Sequence, residues 1–343
     1  MNNNKLIYLP KDSIGDNWNE SIRFYNQWVE GASQFELTTS GSTGPSKSII
    51  ISRKQMEISA QQTIDALQLF KGDKLLVCIN TAFIGGKMML VRGLMNDMPL
   101  YITEPSSNPL KDLTHHFDFI AVVPLQMQTM LEENEFLKLN KMKAIIVGGA
   151  AINQTLLKEI EKLKVPIYAT YGMTETVSHI ALKRLNGDHK SNYFKTIGDI
   201  SIKCDSRNCL IIRGSVTNNE EIITNDVVNI IGETKFELVG RFDNIINSGG
   251  IKVNPEKVEE MIEILFNQLN IKNRFFITGL PDGKLGECVS LIVEGVEFNT
   301  SELTQKISHT LDKYHQPKFI SFINRFAETS TGKINRKETI LVL

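Results

Sequence analysis

The first 195 residues alternate between short apolar runs and longer amphipathic stretches. The apolar runs predict buried strands at residues 35–38, 75–79, 119–123, 144–147 and 165–169. Ser52 and Gln55 form a capping box ahead of apolar residues at helical spacing, which predicts a helix that follows the polar loop at residues 39–47. Further helices are predicted from Pro124 and near Gln154. Such alternation is typical of a mainly parallel sheet covered by helices on both faces, in which ligands bind beyond the carboxyl ends of the strands.

The pattern changes near Thr196, where the helical period fades and short β-rich stretches such as residues 209–213 and 235–239 predict a β subdomain. A polar break at residues 240–244 follows, and then an apolar helix that Asn254 caps and Pro255 begins. We therefore predict an α/β fold with two domains. Residues 1–242 form a large N-terminal α/β domain with mainly parallel sheet and a β subdomain, and residues 243–343 form a small C-terminal α+β domain.

Composition narrows the class of protein. The 343 residues are 41% hydrophobic, which excludes wholesale disorder. The 38 basic and 39 acidic residues nearly cancel, so we expect no nucleic-acid partner and no membrane surface bound by charge. The longest apolar runs fall far short of the ~18 residues of a membrane span, so we expect no membrane insertion. The start shows no signal peptide, and the four cysteines show no metal or redox spacing, so we expect a reduced, cytoplasmic protein.

The loop at residues 39–47 combines glycines, hydroxyls and one cation. Glycine lets the backbone approach a ligand, and hydroxyls and a lysine supply donors and charge, which suits a polyphosphate. A solvated Ser/Gly turn is the alternative. A P-loop is excluded because Ser46, not glycine, precedes the lysine. The candidate phosphate-binding residues are Thr39, Ser40, Gly41, Ser42, Thr43, Gly44 and Lys47.

This loop resembles the Thr-Ser-Gly-Ser-Thr-Gly-x-Pro-Lys motif of the acyl-adenylate-forming (AMP-binding) superfamily. Further motifs of that family follow in the family's order, between residues 38 and 333. They are Gly148-Gly149-Ala150, Tyr171-Gly172-Met173-Thr174-Glu175, Thr224-Asn225-Asp226, Gly240-Arg241-Phe242-Asp243, Ser248-Gly249-Gly250 and Thr331-Gly332-Lys333. The resemblance implies that a carboxylate attacks the α-phosphate of ATP to give an acyl-AMP, and that coenzyme A then displaces AMP.

The resemblance also implies roles for residues of the N-terminal domain. Gly148, Gly149 and Ala150, together with Tyr171 and Gly172, would line the adenine and acyl pocket. Thr174 would contact the α-phosphate during catalysis, and Glu175 would bind Mg²⁺, a hard cation that prefers carboxylate and phosphate oxygens. The alternative is that Thr174 and Glu175 merely begin a helix.

Five further roles follow from the resemblance. Asp226 would bind the ribose hydroxyls with Arg241 as a second contact, and Asp243 would be the hinge about which the C-terminal domain moves as a lid. Gly249 and Gly250 would line the tunnel for coenzyme A, and Lys333 would be the catalytic lysine. The alternatives are a turn-forming aspartate, a surface arginine, a linker aspartate, a hairpin turn and a solvated lysine. Asn225 stands where the family has glycine, and Ala327 and Glu328 replace the usual proline and basic residue.

Among the subfamilies, the chain most resembles the o-succinylbenzoate:CoA ligases of menaquinone synthesis, with a small-molecule carboxylate as substrate. The usual histidine motif is absent from residues 80–86, and Lys87, Arg92 and Lys183 are equal candidates for pairing with a substrate carboxylate. His179 either lines the acyl pocket or is structural. The alternatives for the whole chain are another aryl- or acyl-CoA synthetase, an adenylation domain that serves a carrier protein, and an inactive nucleotide-binding homologue.

Overall fold

A computed structural model describes residues 6–9, 15–38, 48–328 and 334–343. Its helices are α1 (Asp16–Val29), α2 (Arg53–Leu67), α3 (Ile84–Met95), α4 (Pro124–Glu132), α5 (Phe136–Leu139), α6 (Gln154–Ile160), α7 (Pro255–Gln268), α8 (Ser301–Thr310) and α9 (Arg336–Ile340). Its first strands are β1 (Leu6–Tyr8), β2 (Gln34–Thr38), β3 (Ser48–Ser52), β4 (Leu75–Val77), β5 (Leu100–Ile102), β6 (Phe119–Val122), β7 (Ala144–Val147), β8 (Ile167–Gly172), β9 (His179–Arg184) and β10 (Phe194–Thr196). The remaining strands are β11 (Ser201–Cys204), β12 (Cys209–Arg213), β13 (Ile222–Gly232), β14 (Lys235–Arg241), β15 (Ile246–Ser248), β16 (Ile251–Val253), β17 (Phe275–Asp282), β18 (Gly286–Glu294) and β19 (Phe319–Ile323).

A mixed sheet of twelve strands organises the N-terminal part, in the order β1-β5-β4-β6-β7-β8-β9-β10-β14-β13-β12-β11. The strands from β1 to β8 in this order pair in parallel, which confirms the predicted parallel sheet. From β8 to β11 the neighbours pair antiparallel. The predicted β-rich region is therefore present, and its strands continue the edge of the parallel sheet.

The large sheet separates two apolar cores. Alternate residues of a strand point to opposite faces, so Leu76 joins one core while Leu75 and Val77 join the other. Helices α4 and α6 cover the first face, and α1, α2 and α3 cover the second. Met88 and Met89 are fully buried in the second core, as expected of methionine in a packed interior.

The C-terminal part has its own sheet and its own core. Strands β16, β15, β18 and β17 pair in that order, and β19 pairs in parallel with β18. The predicted helix α7 is confirmed, with the Asn254 side chain accepting a hydrogen bond from the Lys257 amide and Pro255 in the first turn. The buried core beneath it is made of residues from Ile246 onward. The domain boundary at Asp243 stays a prediction that this separate core supports.

The helix predicted after the loop is confirmed as α2, with Ser52 and Gln55 forming its capping box. Strand β3, which lies between the loop at residues 39–47 and this helix, was not predicted. It pairs antiparallel with β2, which gives its isoleucines a cross-strand partner. One predicted strand boundary was wrong. Strand β8 starts two residues later than predicted and runs on to Gly172, so Tyr171 and Gly172 belong to the strand. In the described ranges no helix has the length and apolar character needed to span a membrane.

Candidate active site

The site lies where three parallel strands end. Strands β6, β7 and β8 pair in parallel, so their carboxyl ends meet at one edge of the large sheet. Gly148 follows β7 there, and a Cβ at this position would lie 2.2 Å from Thr170 Oγ1 on β8. A Cβ on Gly172 would lie 2.2 Å from the Ser178 carbonyl oxygen. Both glycines therefore allow the chain to pack closely at this edge.

The other residues of these two motifs differ in their exposure. Gly149 has a φ of +87°, a left-handed conformation that favours glycine, and Gly149 and Ala150 are exposed. Thr174 and Glu175 begin a short 3₁₀ turn, with Thr174 half-buried and Glu175 exposed. The Thr176 hydroxyl donates to the Ser178 carbonyl (2.9 Å) and so fixes the turn. Gly149, Ala150 and the predicted Mg²⁺ ligand Glu175 thus lie at one accessible edge.

A hydrogen-bond chain that begins at the buried Tyr171 joins this edge to the antiparallel strands. The Tyr171 hydroxyl donates to Asp226 Oδ2 at 2.6 Å. Arg241 donates to Asp226 Oδ1 at 3.4 Å and to Asp243 Oδ2 at 2.7 Å. Four residues singled out separately in the sequence, namely Tyr171, Asp226, Arg241 and Asp243, are thus connected, and we call them the ribose-side cluster. The substitution of Asn225 for glycine leaves β13 continuous, with Asp226 still paired opposite Arg241.

Burial and charge explain the protonation of the ribose-side cluster. Burial and then the Asp226 carboxylate raise the pKa of Tyr171, so its hydroxyl stays protonated and donates. Burial opposes the charge of Arg241, but its hydrogen bond to Asp243 and the charge of Asp226 together raise its pKa. The Tyr171 ring is 8% exposed and packs edge-on against Phe236 at 5.1 Å between centroids. The Asp226 carboxylate is therefore held by neighbours on both oxygens.

A second cluster carries a buried cation without a counterion. Arg92 on α3 is 1% exposed. It donates to Ser178 Oγ (3.3 Å) and to the Met89 sulfur (3.7 Å), while its Nε is buried without a hydrogen-bond partner. Within the described ranges, no carboxylate lies within ion-pair distance of it. Burial lowers the pKa of Arg92 to about 9, so the guanidinium is still charged at neutral pH.

His179 lies beside this cation and is neutral. It is 6% exposed, and its Nε2 lies 3.1 Å from the Thr63 hydroxyl on α2. Burial and the nearby Arg92 charge lower its pKa well below the usual value. It pairs with Gly172 in the register of β8 and β9. We call Arg92, Ser178, His179 and Thr63 the arginine cluster. It borders the same strand end as the predicted acyl pocket, and the sequence alone gave no sign of the Thr63 contact.

The other two candidate cations have partners already. The Lys87 ammonium contacts Glu20 (3.2 Å) and donates to the carbonyls of Thr81 and Ala82, which ties α3 to α1. Lys183 is half-buried with its ammonium 5.0 Å from the Phe194 ring centroid. Burial lowers its pKa, and the charges of Glu260 and Glu237 oppose that change. Of the three cations considered from the sequence, Arg92 is therefore the most buried and the one whose charge no carboxylate offsets.

Several predicted residues lie apart from these clusters. Gly249 and Gly250 form the predicted hairpin turn between β15 and β16, and the Gly249 amide donates to the Leu285 carbonyl within the C-terminal part (2.9 Å). Lys333 and the phosphate-loop residues Thr39, Ser40, Gly41, Ser42, Thr43, Gly44 and Lys47 lie outside the described residues. Glu328 and Ile334, which flank the segment containing Lys333, pair with each other in an antiparallel bridge. The chain thus enters and leaves that segment at adjacent points.

Comparisons with known proteins agree with this geometry. Residues 35–207 match the family described as AMP-binding enzyme. The crystal structure of an acyl-CoA synthetase (AMP-forming)/AMP-acid ligase II-like protein from Dyadobacter fermentans DSM 18053 is 41% identical, with 97% of this chain and 96% of that chain covered and a TM-score of 0.64.

More distant relatives have more specific names. The 2-succinylbenzoate--CoA ligase of Lactococcus lactis subsp. lactis (strain IL1403) is 24% identical, over 96% of this chain and 78% of that protein. The structure of O-succinylbenzoate Coenzyme A Synthetase from Bacillus subtilis, in complex with ATP and magnesium ion, is 20% identical, with 89% and 69% covered and a TM-score of 0.74. The fold of the present chain is therefore that of the acyl-CoA synthetases.

Proposed function

Because the chain belongs to the AMP-binding enzyme family, we propose that it is an ATP-dependent acid:CoA ligase. In the first half-reaction a carboxylate oxygen attacks the α-phosphorus of ATP, the bond to the β-phosphate oxygen breaks, and pyrophosphate leaves. In the second, the thiol of coenzyme A loses its proton and attacks the acyl carbonyl, and AMP leaves. The observation that carries the proposal is the ribose-side cluster, which joins residues of three separate family motifs through hydrogen bonds.

The ribose-side cluster is suited to holding the nucleotide. Asp226 is fixed by Tyr171 and Arg241, so its carboxylate is oriented before a ligand arrives. A carboxylate accepts hydrogen bonds at about four lone-pair positions, so it can still accept from two ribose hydroxyls. Arg241 adds positive charge beside the sugar and its phosphates. We infer that this cluster determines the position of the α-phosphate relative to the edge formed by Gly148, Gly172 and Thr174.

Glu175 fits the role of a single protein ligand to Mg²⁺. In the described ranges no group of three His, Cys, Asp or Glu side chains is placed to hold a metal ion by itself. Mg²⁺ bound to a nucleotide needs no such group, because phosphate oxygens and water supply most of its ligands and one or two carboxylates complete the set. Glu175 is exposed at the strand edge where the phosphates would lie. The ion would neutralise phosphate charge that otherwise repels the attacking carboxylate.

We propose that Lys333 supplies the mobile positive charge of the first half-reaction and that the C-terminal part turns about Asp243. A lysine ammonium can contact both the attacking carboxylate and an α-phosphate oxygen. The relative from Dyadobacter fermentans has the higher identity and nevertheless a lower TM-score than the Bacillus subtilis enzyme. Rotation of one rigid unit against another lowers such a score without changing identity, which supports a hinge.

We further propose that the substrate carries a second carboxylate, as o-succinylbenzoate does. Arg92 is a buried cation without a counterion, and a substrate anion would supply the missing charge and accept from its free Nε. The names of the 2-succinylbenzoate--CoA ligases support this choice of acid. Menaquinone synthesis is then the proposed pathway. Another aryl- or acyl-CoA synthetase remains the alternative, and the acid panel below separates the two.

Mass spectrometry of the coenzyme A products tests the proposal. The purified protein is incubated with ATP, Mg²⁺ and coenzyme A and a panel of aromatic and aliphatic acids. We expect o-succinylbenzoyl-CoA as the main product. A thioester of another acid alone would replace the proposed substrate, and an absence of pyrophosphate exchange with every acid would overturn the ligase activity.

Separation of the half-reactions tests the catalytic lysine. Lys333→Ala should reduce acyl-AMP formation by roughly 10²-fold or more, the scale of one lost transition-state donor. Thioester formation from presynthesised acyl-AMP should persist, because this step does not need that charge at the α-phosphate. Equal loss of both half-reactions would contradict the assigned role.

A further inference from the structure

Arg207 contacts both sides of the ribose-side cluster. It lies in the turn between β11 and β12, where its Nε donates to Asp205 Oδ2 at 2.8 Å. Its Nη1 then crosses to β13 and donates to Asn225 Oδ1 at 3.0 Å, and its Nη2 donates to the Thr224 carbonyl at 3.3 Å. Its guanidinium carbon also lies 5.1 Å from the centroid of the Phe242 ring. One side chain thus contacts β13, which carries Asp226, and Phe242, which lies between the N-terminal and C-terminal parts of the chain.

The residues that Arg207 holds are the sequence neighbours of the ribose-side cluster. Thr224 and Asn225 directly precede Asp226, while Phe242 lies between Arg241 and Asp243. The Thr224 hydroxyl, in turn, accepts from the Asp226 amide at 3.1 Å and donates to the Leu210 carbonyl at 2.8 Å. Arg207 therefore holds the backbone of residues 224–226, which positions the Asp226 carboxylate. It also lies against the segment that carries the partner arginine.

Asn225 supplies a hydrogen-bond acceptor that the glycine of the family motif would lack. Asn225 is exposed, and its amide oxygen is the acceptor for Arg207. A glycine at this position, which the resembled family motif has, would remove that acceptor. Asn225, which departs from the motif, thus has Arg207 as its hydrogen-bond partner.

We propose that Arg207 is a positioning residue for nucleotide binding that acts through Asn225, Thr224 and Phe242 on the carboxylate of Asp226. The proposal rests on the assignment of Asp226 to the ribose under the proposed function. Arg207 does not itself contact the nucleotide. Its planar guanidinium supplies two parallel donors and a face for the Phe242 ring, a combination that lysine cannot reproduce.

Isothermal titration calorimetry with ATP tests the proposal without requiring turnover. Arg207→Ala should weaken ATP binding roughly 5- to 30-fold, the range expected for loss of one or two hydrogen bonds from a charged donor. Arg207→Lys should remain close to the alanine variant, because the charge alone is not sufficient. In steady-state assays the KM for ATP should rise while kcat changes less than about twofold, a division that general loss of folding would not produce.

A double-mutant cycle tests the route through Asn225. Asn225→Gly alone should weaken ATP binding by several-fold, and adding Arg207→Ala to it should weaken binding less than the same change does in the natural protein. Arg213→Ala is the matched control, because Arg213 is an exposed arginine on β12 that donates to the Asn219 carbonyl. It should leave ATP binding unchanged.

Two results would overturn the positioning role. They are an unchanged dissociation constant in Arg207→Ala, and full additivity of the two substitutions. Because the readout is nucleotide affinity, an absence of thioester product in the natural protein would refute the proposed ligase function without deciding the role of Arg207. Conversely, normal thioester synthesis with unchanged ATP affinity in Arg207→Ala would refute the positioning role alone.

Discussion

The ribose-side cluster and the arginine cluster border the same strand end but differ in how their charges are balanced. In the ribose-side cluster every charge has an opposite charge or a donor: Asp226 lies between Tyr171 and Arg241, and Arg241 also holds Asp243. In the arginine cluster, Arg92 is buried beside a neutral histidine and a hydroxyl. The charges of the first cluster are balanced without a ligand, although the Arg241 Nε is buried without a hydrogen-bond partner. The second cluster lacks an anion that a substrate would bring.

This difference predicts opposite effects of mutation on stability and function. A satisfied buried network stabilises the protein, so removing one of its members exposes an unpaired partner. A buried charge without a counterion destabilises the protein, so its replacement by an apolar side chain of similar size is favourable. Sites that are kept in spite of such a cost are commonly functional.

The largest effect is expected from Arg92→Met. It should lower kcat/KM for o-succinylbenzoate by roughly 10- to 100-fold, because the substrate carboxylate loses a buried ionic partner. It should change kcat/KM for 4-oxo-4-phenylbutanoate, which lacks that carboxylate, less than threefold. The free energy of unfolding measured in urea should rise by about 1 kcal/mol or more. An equal fall in kcat/KM for the two acids, or a lower free energy of unfolding in the variant, would contradict the contrast between the two clusters.

Arg213→Met is the matched control for that experiment. Arg213 is exposed, so its replacement should change the free energy of unfolding by less than about 0.5 kcal/mol and leave both acids unaffected.

An effect of opposite sign on stability is expected from Tyr171→Phe. The substitution removes the hydroxyl that donates to Asp226, leaves the buried carboxylate with one partner fewer, and keeps the ring contact with Phe236. The free energy of unfolding should fall by about 1 to 3 kcal/mol. Tyr314→Phe, at a ring that is 55% exposed, should have no measurable effect. Equal stability of the two variants would mean that the hydrogen bond from Tyr171 to Asp226 does not stabilise the protein.

The smallest effect concerns pH and sharpens the description of the arginine cluster. His179 has a folded-state pKa well below its ordinary value of 6.5, first because of burial and then because of Arg92. Below pH 6.5 the unfolded chain therefore binds a proton that the folded protein does not, and the free energy of unfolding falls as the pH falls, by up to about 1.4 kcal/mol per unit. Urea unfolding between pH 7.5 and pH 5 should show this slope, and His179→Gln should reduce it. Parallel slopes for the two proteins would contradict the lowered pKa.

Much of the fold was predictable because local rules decide it. The capping box before α2, the proline that begins α4 and the Asn254 cap of α7 all depend on neighbouring residues, and all three are found as expected. Strand β3 was missed because a five-residue strand gains its stability from pairing with β2, and pairing across a loop leaves little trace in the sequence.

The sequence predicted which residues form the candidate site but not the hydrogen bonds and ion pairs between them. The family motifs identify Asp226 and Arg241, but nothing in the sequence shows that Tyr171 donates to Asp226 rather than facing solvent. Likewise Lys87, Arg92 and Lys183 look alike as basic residues, and only the positions of Glu20 and of two carbonyl groups distinguish the first from the second. Charge balance in an interior is a property of the packed chain.

The hydrogen bond from Tyr171 to Asp226 joins residues 55 positions apart, across the junction between the parallel and antiparallel halves of the large sheet. Contacts at such separation form late in folding, since the intervening chain must be ordered first. A fragment that ends after β12 would contain β7 and β8 but lack the Asp226 carboxylate on β13, the proposed ribose ligand. During synthesis, the chain would then begin to bind a nucleoside only after β13 has joined the large sheet.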